Sequence, residues 1–97
     1  MKITIKIGEK IAELPKIKAG MWREIMKFEE ERKEIRAADI VEKYCEIIAA
    51  AFGVTIDEVL ENLSIDEVVP KYYEILNAML GMLTAKLGNK KNAGEKI

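Results

Sequence analysis

A chain of 97 residues without a histidine lacks the usual acid–base group near neutral pH and the commonest metal ligand. The one thiol, Cys45, falls mid-helix on the flank of an apolar face, and no imidazole exists to act as its base. It reads as a buried structural thiol rather than a nucleophile. The carboxylates with the clearest pattern are Glu58 and Glu67, in Thr55-Ile56-Asp57-Glu58-Val59 and Ser64-Ile65-Asp66-Glu67-Val68. A hydroxyl followed three residues later by Glu is a capping box, in which the two residues satisfy each other's free backbone N–H groups. Those acids are therefore committed to helix starts, and Asp57 and Asp66 complement the positive end of each helix dipole. The stretch Asp57 to Glu67 resembles a calcium loop only in its acidity; the central glycine and alternating ligands are missing. The six glycines stand singly, and none precedes the Lys-Ser/Thr of a phosphate loop. One cysteine without histidine provides neither an internal disulfide nor a zinc set. The expectation is a protein that is not an enzyme, with no catalytic residue, cofactor or metal.

Composition agrees with an interaction module. An apolar share of 49% beside 34% charged residues describes one soluble globular domain. Residues 1–88 are expected to form it, with 89–97, which have almost no apolar content, as a disordered tail. The first seven residues alternate charged and apolar groups, unlike a signal peptide, and the longest apolar run, Ile47 to Phe52, is far too short to span a membrane. Net charge is −1, but Ala37 to Val69 holds eight acids against Lys43 alone, while the segments on either side are each net positive. Neither flank concentrates the basic patch that nucleic acid requires. Capping acids and solvated faces account for most of this pattern; a head-to-tail contact between copies is the other reading.

The elements follow from periodicity. Ile3, Ile5 and Ile7 alternate with polar residues, and Gly8-Glu9 suits a two-residue type II′ turn, so residues 1–14 read as a β-hairpin. That register sets Ile5 opposite Ala12, Ile3 opposite Leu14, Thr4 opposite Glu13 and Lys6 opposite Ile11, and Pro15 stops the ladder. A first helix over Ala19 to Lys33 carries Met21, Trp22, Ile25 and Phe28 in one stripe, with Met26 beside it. The charged run Glu29 to Glu34 reads as its solvated end, with Glu29 and Lys33 paired. A second helix starts near Ala38, presents Ile40, Tyr44, Ile47, Ile48 and Ala51, and stops at Gly53. That apolar stripe, widened by Val41, Cys45 and Phe52, marks the central helix. A short helix from Ile56 to Asn62 should bury Val59, Leu60 and Leu63. Pro70 predicts one turn over Ile65 to Val68, then a separate helix from Val69 or Pro70 to Gly88. The fold class is α+β and mostly helical, an N-terminal β-hairpin packed on a bundle of about four helices.

Binding surfaces are better candidates than a catalytic cleft. Met79 and Met82 offer adaptable side chains, and Trp22 lies on the first helix's apolar stripe. Tyr72 and Tyr73 point about 100° apart on a helix, so one ring can pack while the other, Tyr73, stays available. Gly81 inside the last helix costs roughly 1 kcal/mol relative to Ala, which is understood if something approaches the backbone there. Trp22, Tyr73, Met79 and Met82 are the expected partner-binding residues.

As a whole, residues 1–88 resemble the tail assembly chaperones of long-tailed phages and prophages of Gram-positive bacteria. The resemblance rests on the alternating start Lys2 to Ile7, Leu14-Pro15, Trp22-Arg23-Glu24-Ile25, Ala51-Phe52-Gly53, Thr55 to Leu60, and the Leu-Ser-Ile-Asp-Glu-Val stretch before Pro70. It implies a non-enzymatic protein of the bacterial host cytoplasm that coats the tape-measure protein and keeps it soluble until tail-tube subunits polymerise around it. It also implies a contact with the tail tube protein through a frameshifted, extended form; Lys90-Lys91 suits a slippery site, and the 97 residues themselves carry no such extension. An apolar groove built from the first and last helices should accept tape-measure helices. Self-association, through the charge asymmetry or a hairpin edge, would let copies line the client. Neither nucleic acid nor membrane is expected as a partner. The alternatives are a small helix-turn-helix regulator, disfavoured by Asp66 and Glu67 where phosphate would approach, and a structural virion completion protein.

Overall fold

The computed structural model describes residues 3–95, with side chains through residue 84. Strands β1 (Thr4–Ile7) and β2 (Lys10–Glu13) form an antiparallel hairpin, followed by helices α1 (Ala19–Glu31), α2 (Ala37–Phe52), α3 (Ile56–Asn62) and α4 (Ile65–Glu95). A 3₁₀ turn, Arg32–Glu34, joins α1 to α2. The architecture is the mostly helical α+β arrangement expected.

The hairpin has the register that alternation dictates: Thr4 with Glu13, Ile5 with Ala12, Lys6 with Ile11 and Ile7 with Lys10. Leu14 then donates its N–H to the Ile3 carbonyl at 2.8 Å. Gly8 takes φ +64° while, among the described residues, no residue other than glycine has positive φ, the combination a type II′ turn needs. Ile5 turns inward and is 3% exposed. Two strands are marginal alone, and two side chains pin these to the helices. Asn62 Oδ1 accepts the Gly8 N–H at 2.7 Å, and Lys71 Nζ donates to the Thr4 carbonyl at 2.8 Å.

The core lies around α2, whose Tyr44, Cys45, Ile47, Ile48, Ala49, Ala51 and Phe52 are all buried. It packs against α1, α3 and α4, as the width of its apolar stripe requires. Gly53 closes it at φ 75°, donating to the Ala49 carbonyl. Ile25, Ile48, Val59, Tyr72 and Ile75 are fully enclosed, and each such side chain contributes about 1.5–3 kcal/mol by leaving water. Burial pushes the Cys45 thiol above its ordinary pKa, with Glu42 adding to the shift.

The two capping boxes close differently. At Thr55 both arms are present: the Glu58 N–H reaches the hydroxyl at 3.1 Å, and the Glu58 carboxylate accepts the Thr55 N–H at 2.9 Å. At Ser64 the Glu67 carboxylate accepts the backbone N–H at 2.8 Å, but the hydroxyl donates to Asp66 at 2.5 Å instead of accepting from the first turn.

Four expectations need correction. Leu60 is 46% exposed, not core. The break expected at Pro70 does not occur: α4 is one helix with Pro70 inside it. Val68, Tyr72, Ile75 and Met79 form a single buried stripe that runs past the proline, while Pro70 and Asp66 face solvent, where the freed carbonyl of Asp66 can be hydrated. Nor does Gly88 end α4, which continues to Glu95; Lys and Ala in the following residues are good helix formers, and one glycine costs only about 1 kcal/mol. The tail expected over 89–97 includes residues 96 and 97, which lie outside the described residues. Finally, α1 stops at Glu31, so Lys33 falls in the 3₁₀ turn.

Candidate functional site

Trp22 of α1 lines the same recess as Met79 and Met82 of α4, and the Phe28 ring of α1 meets the Tyr72 ring of α4 at 5.5 Å. Trp22, Met79, Met82 and Leu83, with Ile17 and Ala19 of the connector and the helix start, line an apolar recess of about 400 Å³. A wider cleft of about 770 Å³ adjoins it and shares Ile17 and Met82. Leu14, Pro15, Ala78 and Gly81 line that cleft, with Glu13, Lys16 and Glu74 among its polar groups. Together they make one trough between the connector and the second half of α4, of a size suited to several side chains.

Three of the four expected contact residues therefore meet. Met79, 4% exposed, forms the floor, whereas Met82 and Leu83, 43% and 41% exposed, stand at the wall. Leu80, 40% exposed, extends the apolar surface along the same helix. A side chain at Gly81 would enter open space, since among the described residues no atom beyond its chain neighbours and its own helix backbone lies within 4 Å of where its Cβ would sit. Among the described residues, nothing beyond its own helix approaches that glycine.

Tyr73 lies apart from the trough, in a cluster that the residue pattern did not reveal. Arg32 donates to the Tyr73 hydroxyl at 2.9 Å, to the Tyr44 hydroxyl at 2.6 Å and to Glu29 at 3.1 Å. Tyr72 donates its buried hydroxyl to Glu29. The rings of Phe28, Tyr44 and Tyr72 meet at 4.8–5.5 Å in tilted and edge contacts. The guanidinium sits 5.8 Å from the Phe28 and Tyr44 centroids and 5.9 Å from Tyr73, within cation–π range. Thus Glu29 and Arg32 do not belong to a solvated helix end; the charged run folds one ion pair onto four aromatic rings. Residues three apart are neighbours on a helix surface, and α1 stops at Glu31, so Arg32, not Lys33, lies beside Glu29.

The Tyr73 hydrogen bond, and then Glu29, hold the Arg32 guanidinium even more firmly protonated than usual, against the opposing effect of burial. Burial, followed by the bond to Glu29, pushes Tyr72 well above its ordinary value of 10.0. Tyr44 is also raised, chiefly by burial, although Arg32 opposes the shift. A raised folded pKa means that the unfolded chain loses the proton first. The stabilisation is complete below the ordinary tyrosine range and disappears as pH climbs above it. Alkaline titration should therefore ionise Tyr44 and Tyr72 cooperatively with loss of helical dichroism, and both changes should begin above about pH 10. Independent, gradual ionisation of Tyr44 and Tyr72 in an intact fold would contradict this.

The trough is lined mainly by apolar side chains, and the ion-pair cluster lies apart from it. The family model described as phage tail chaperone protein matches residues 1–96. The chain belongs to that family. No curated protein and no solved structure matches it. For this phage tail chaperone, protein partners in tail assembly follow from membership. Among its described residues, no helix is long and apolar enough to cross a membrane.

Proposed function

We propose that this tail chaperone binds helical segments of the tape-measure protein in the trough and keeps that long client soluble in the bacterial host cytoplasm while the tail tube is built. The observation that carries the reading is the convergence of Trp22, Met79, Met82 and Leu83 with Ile17 on an open apolar recess beside an unobstructed Gly81. An amphipathic helix laid in a groove is recognised through apolar anchors three and four residues apart. Methionines adapt such a groove to the varied sequence of a long client. The working unit is residues 1–88, with 89–97 as a tail beyond it. In an extended, frameshifted form, further chain past this tail would reach the tail tube protein. The cycle needs no covalent step: binding and release suffice.

Co-purification with overlapping tape-measure fragments tests the reading. Fragments with an amphipathic helical stripe should co-elute with the chaperone and remain in the supernatant only in its presence. A tape-measure protein that is equally soluble without it would defeat the proposal.

A further inference from the structure

The two long walls of the trough differ in charge. On the connector side, residues 16–27 carry Lys16, Lys18, Arg23 and Lys27 against a single acid, Glu24. Lys16 borders the wider cleft and Lys18 the recess. Arg23 and Lys27 lie beyond Trp22, in a hollow where Glu30 offsets part of their charge. All four cations are exposed, and none of them belongs to an ion pair among the described residues. The α4 wall is neutral, since residues 75–84 hold no charged side chain. The acids at the hairpin end are already engaged, Glu74 with Lys71 at 2.7 Å and Glu13 within the chain. Lys16 and Lys18 therefore give the trough one positive border and no negative one.

We propose that the helix held in the trough carries acidic side chains along the border of its apolar stripe that faces Lys16 and Lys18, and uncharged side chains along the border that faces Gly81. This selectivity rests on the trough being the client site. The spacing of the two lysines fits a helix. Lys18 has extended backbone, φ −94° and ψ 160°, and half-buried Ile17 lines the recess between the exposed Lys16 and Lys18. Side chains two apart on an extended chain lie on one side, about 6.5 Å from each other. Acids at i and i+4 of a helix are separated by a rise of about 6 Å, so each ammonium can meet one carboxylate. At the other border a carboxylate would come against Ala78, Gly81 and Met82, losing hydration without gaining a partner. Acids on one border alone also fix the direction of the helix, because reversing it would carry them to the neutral wall. An anionic lipid surface offers charge too, but it is flat and would leave the Met79 floor uncovered.

The single tryptophan, Trp22, lines the recess, so its emission reports occupancy. Helical peptides with one shared leucine stripe, differing only at two border positions four apart, are titrated into the full chain. With Glu at those positions the peptide should bind roughly fivefold tighter at low salt than with Gln, and with Lys more weakly than either. Glu on both borders should add nothing, and the differences should shrink in about 0.5 M salt. The double variant Lys16→Glu, Lys18→Glu should reverse the order with helical dichroism unchanged. Lys16→Gln with Lys18→Gln should erase it, and serves if the reversed pair does not fold. Equal affinity for the three peptides, or an order that survives both double variants, would overturn the charge selectivity and leave the trough as the client site. If none of the peptides changes the emission, the client site itself fails and the selectivity with it. A stronger response to phosphatidylglycerol vesicles than to the Glu peptide would assign the lysines to a lipid surface, against the proposal.

Discussion

Glu29→Ala will lower the melting temperature by about 10–20 °C, whereas Glu30→Ala or Glu31→Ala will leave it nearly unchanged. The three acids are consecutive, and any helix-propensity argument treats them alike. Their partners differ. Glu29 accepts from Arg32 at 3.1 and 3.3 Å and accepts a hydrogen bond from the Tyr72 hydroxyl. Its removal strands a hydroxyl on a residue that is 0% exposed. It also leaves Arg32, about two-thirds buried, with neutral partners alone. Losing one partner of a buried charge-assisted network costs about 2–3 kcal/mol, more than the bond itself is worth, because the remaining groups were already taken out of water. Glu30 and Glu31 are exposed, and surface truncations usually stay within about 0.5 kcal/mol. Thermal unfolding followed by circular dichroism decides the matter, and parent-like melting of Glu29→Ala would remove the cluster from any account of stability. Tyr72→Phe, alone and combined with Glu29→Ala, should be sub-additive, since either change breaks the same bond.

This cluster also marks where residue patterns stop being sufficient. The hairpin was legible to the residue, because a period of two and a turn with glycine at its first central position admit one register that buries Ile5. The width of the α2 stripe announced the central helix, and Gly53 announced its end. These are local signals, and local hydrogen bonding enforces them. Glu29 and Arg32 were read as solvent-facing because nothing within a few positions marks their partners: Tyr44, Tyr72 and Tyr73 come from two other helices. Pro70 misled for a related reason. A proline inside a helix is locally unfavourable, but Val68 and Tyr72 on either side of it share one buried stripe, and burying that stripe outweighs the lost backbone bond. Leu60 was misjudged because a helix of seven residues, Ile56–Asn62, has only one buried residue, Val59. The trough was half legible. Its methionines and Trp22 could be assigned to apolar helix faces, but the connector residues Leu14, Pro15 and Ile17 that form the other wall carry no periodic signal.

Met82→Asp should weaken binding of tape-measure helices roughly a hundredfold, about 3 kcal/mol, while leaving the fold intact. Met82 borders both parts of the trough, so any helix lying there must cover it. A carboxylate at that position would be taken out of water beside Ile17 and Leu83 without a partner. The free protein escapes this cost, because a side chain that is 43% exposed can carry its charge in solvent. Leu60→Asp is the matched control: Leu60 is 46% exposed but lies on α3, outside the trough, so it should leave client affinity unchanged. Gly81→Ala separates stability from binding by sign. Its methyl group enters empty space in the free protein, and the helix gains roughly 1 kcal/mol; in the complex the same methyl group meets the client's backbone and binding falls. Stabilisation and weaker capture from one methyl group cannot come from damage to the chaperone's own packing. They require a partner to occupy the space beside Gly81. If Gly81→Ala stabilises the protein and binds the client as well as the parent does, the client does not lie along this wall.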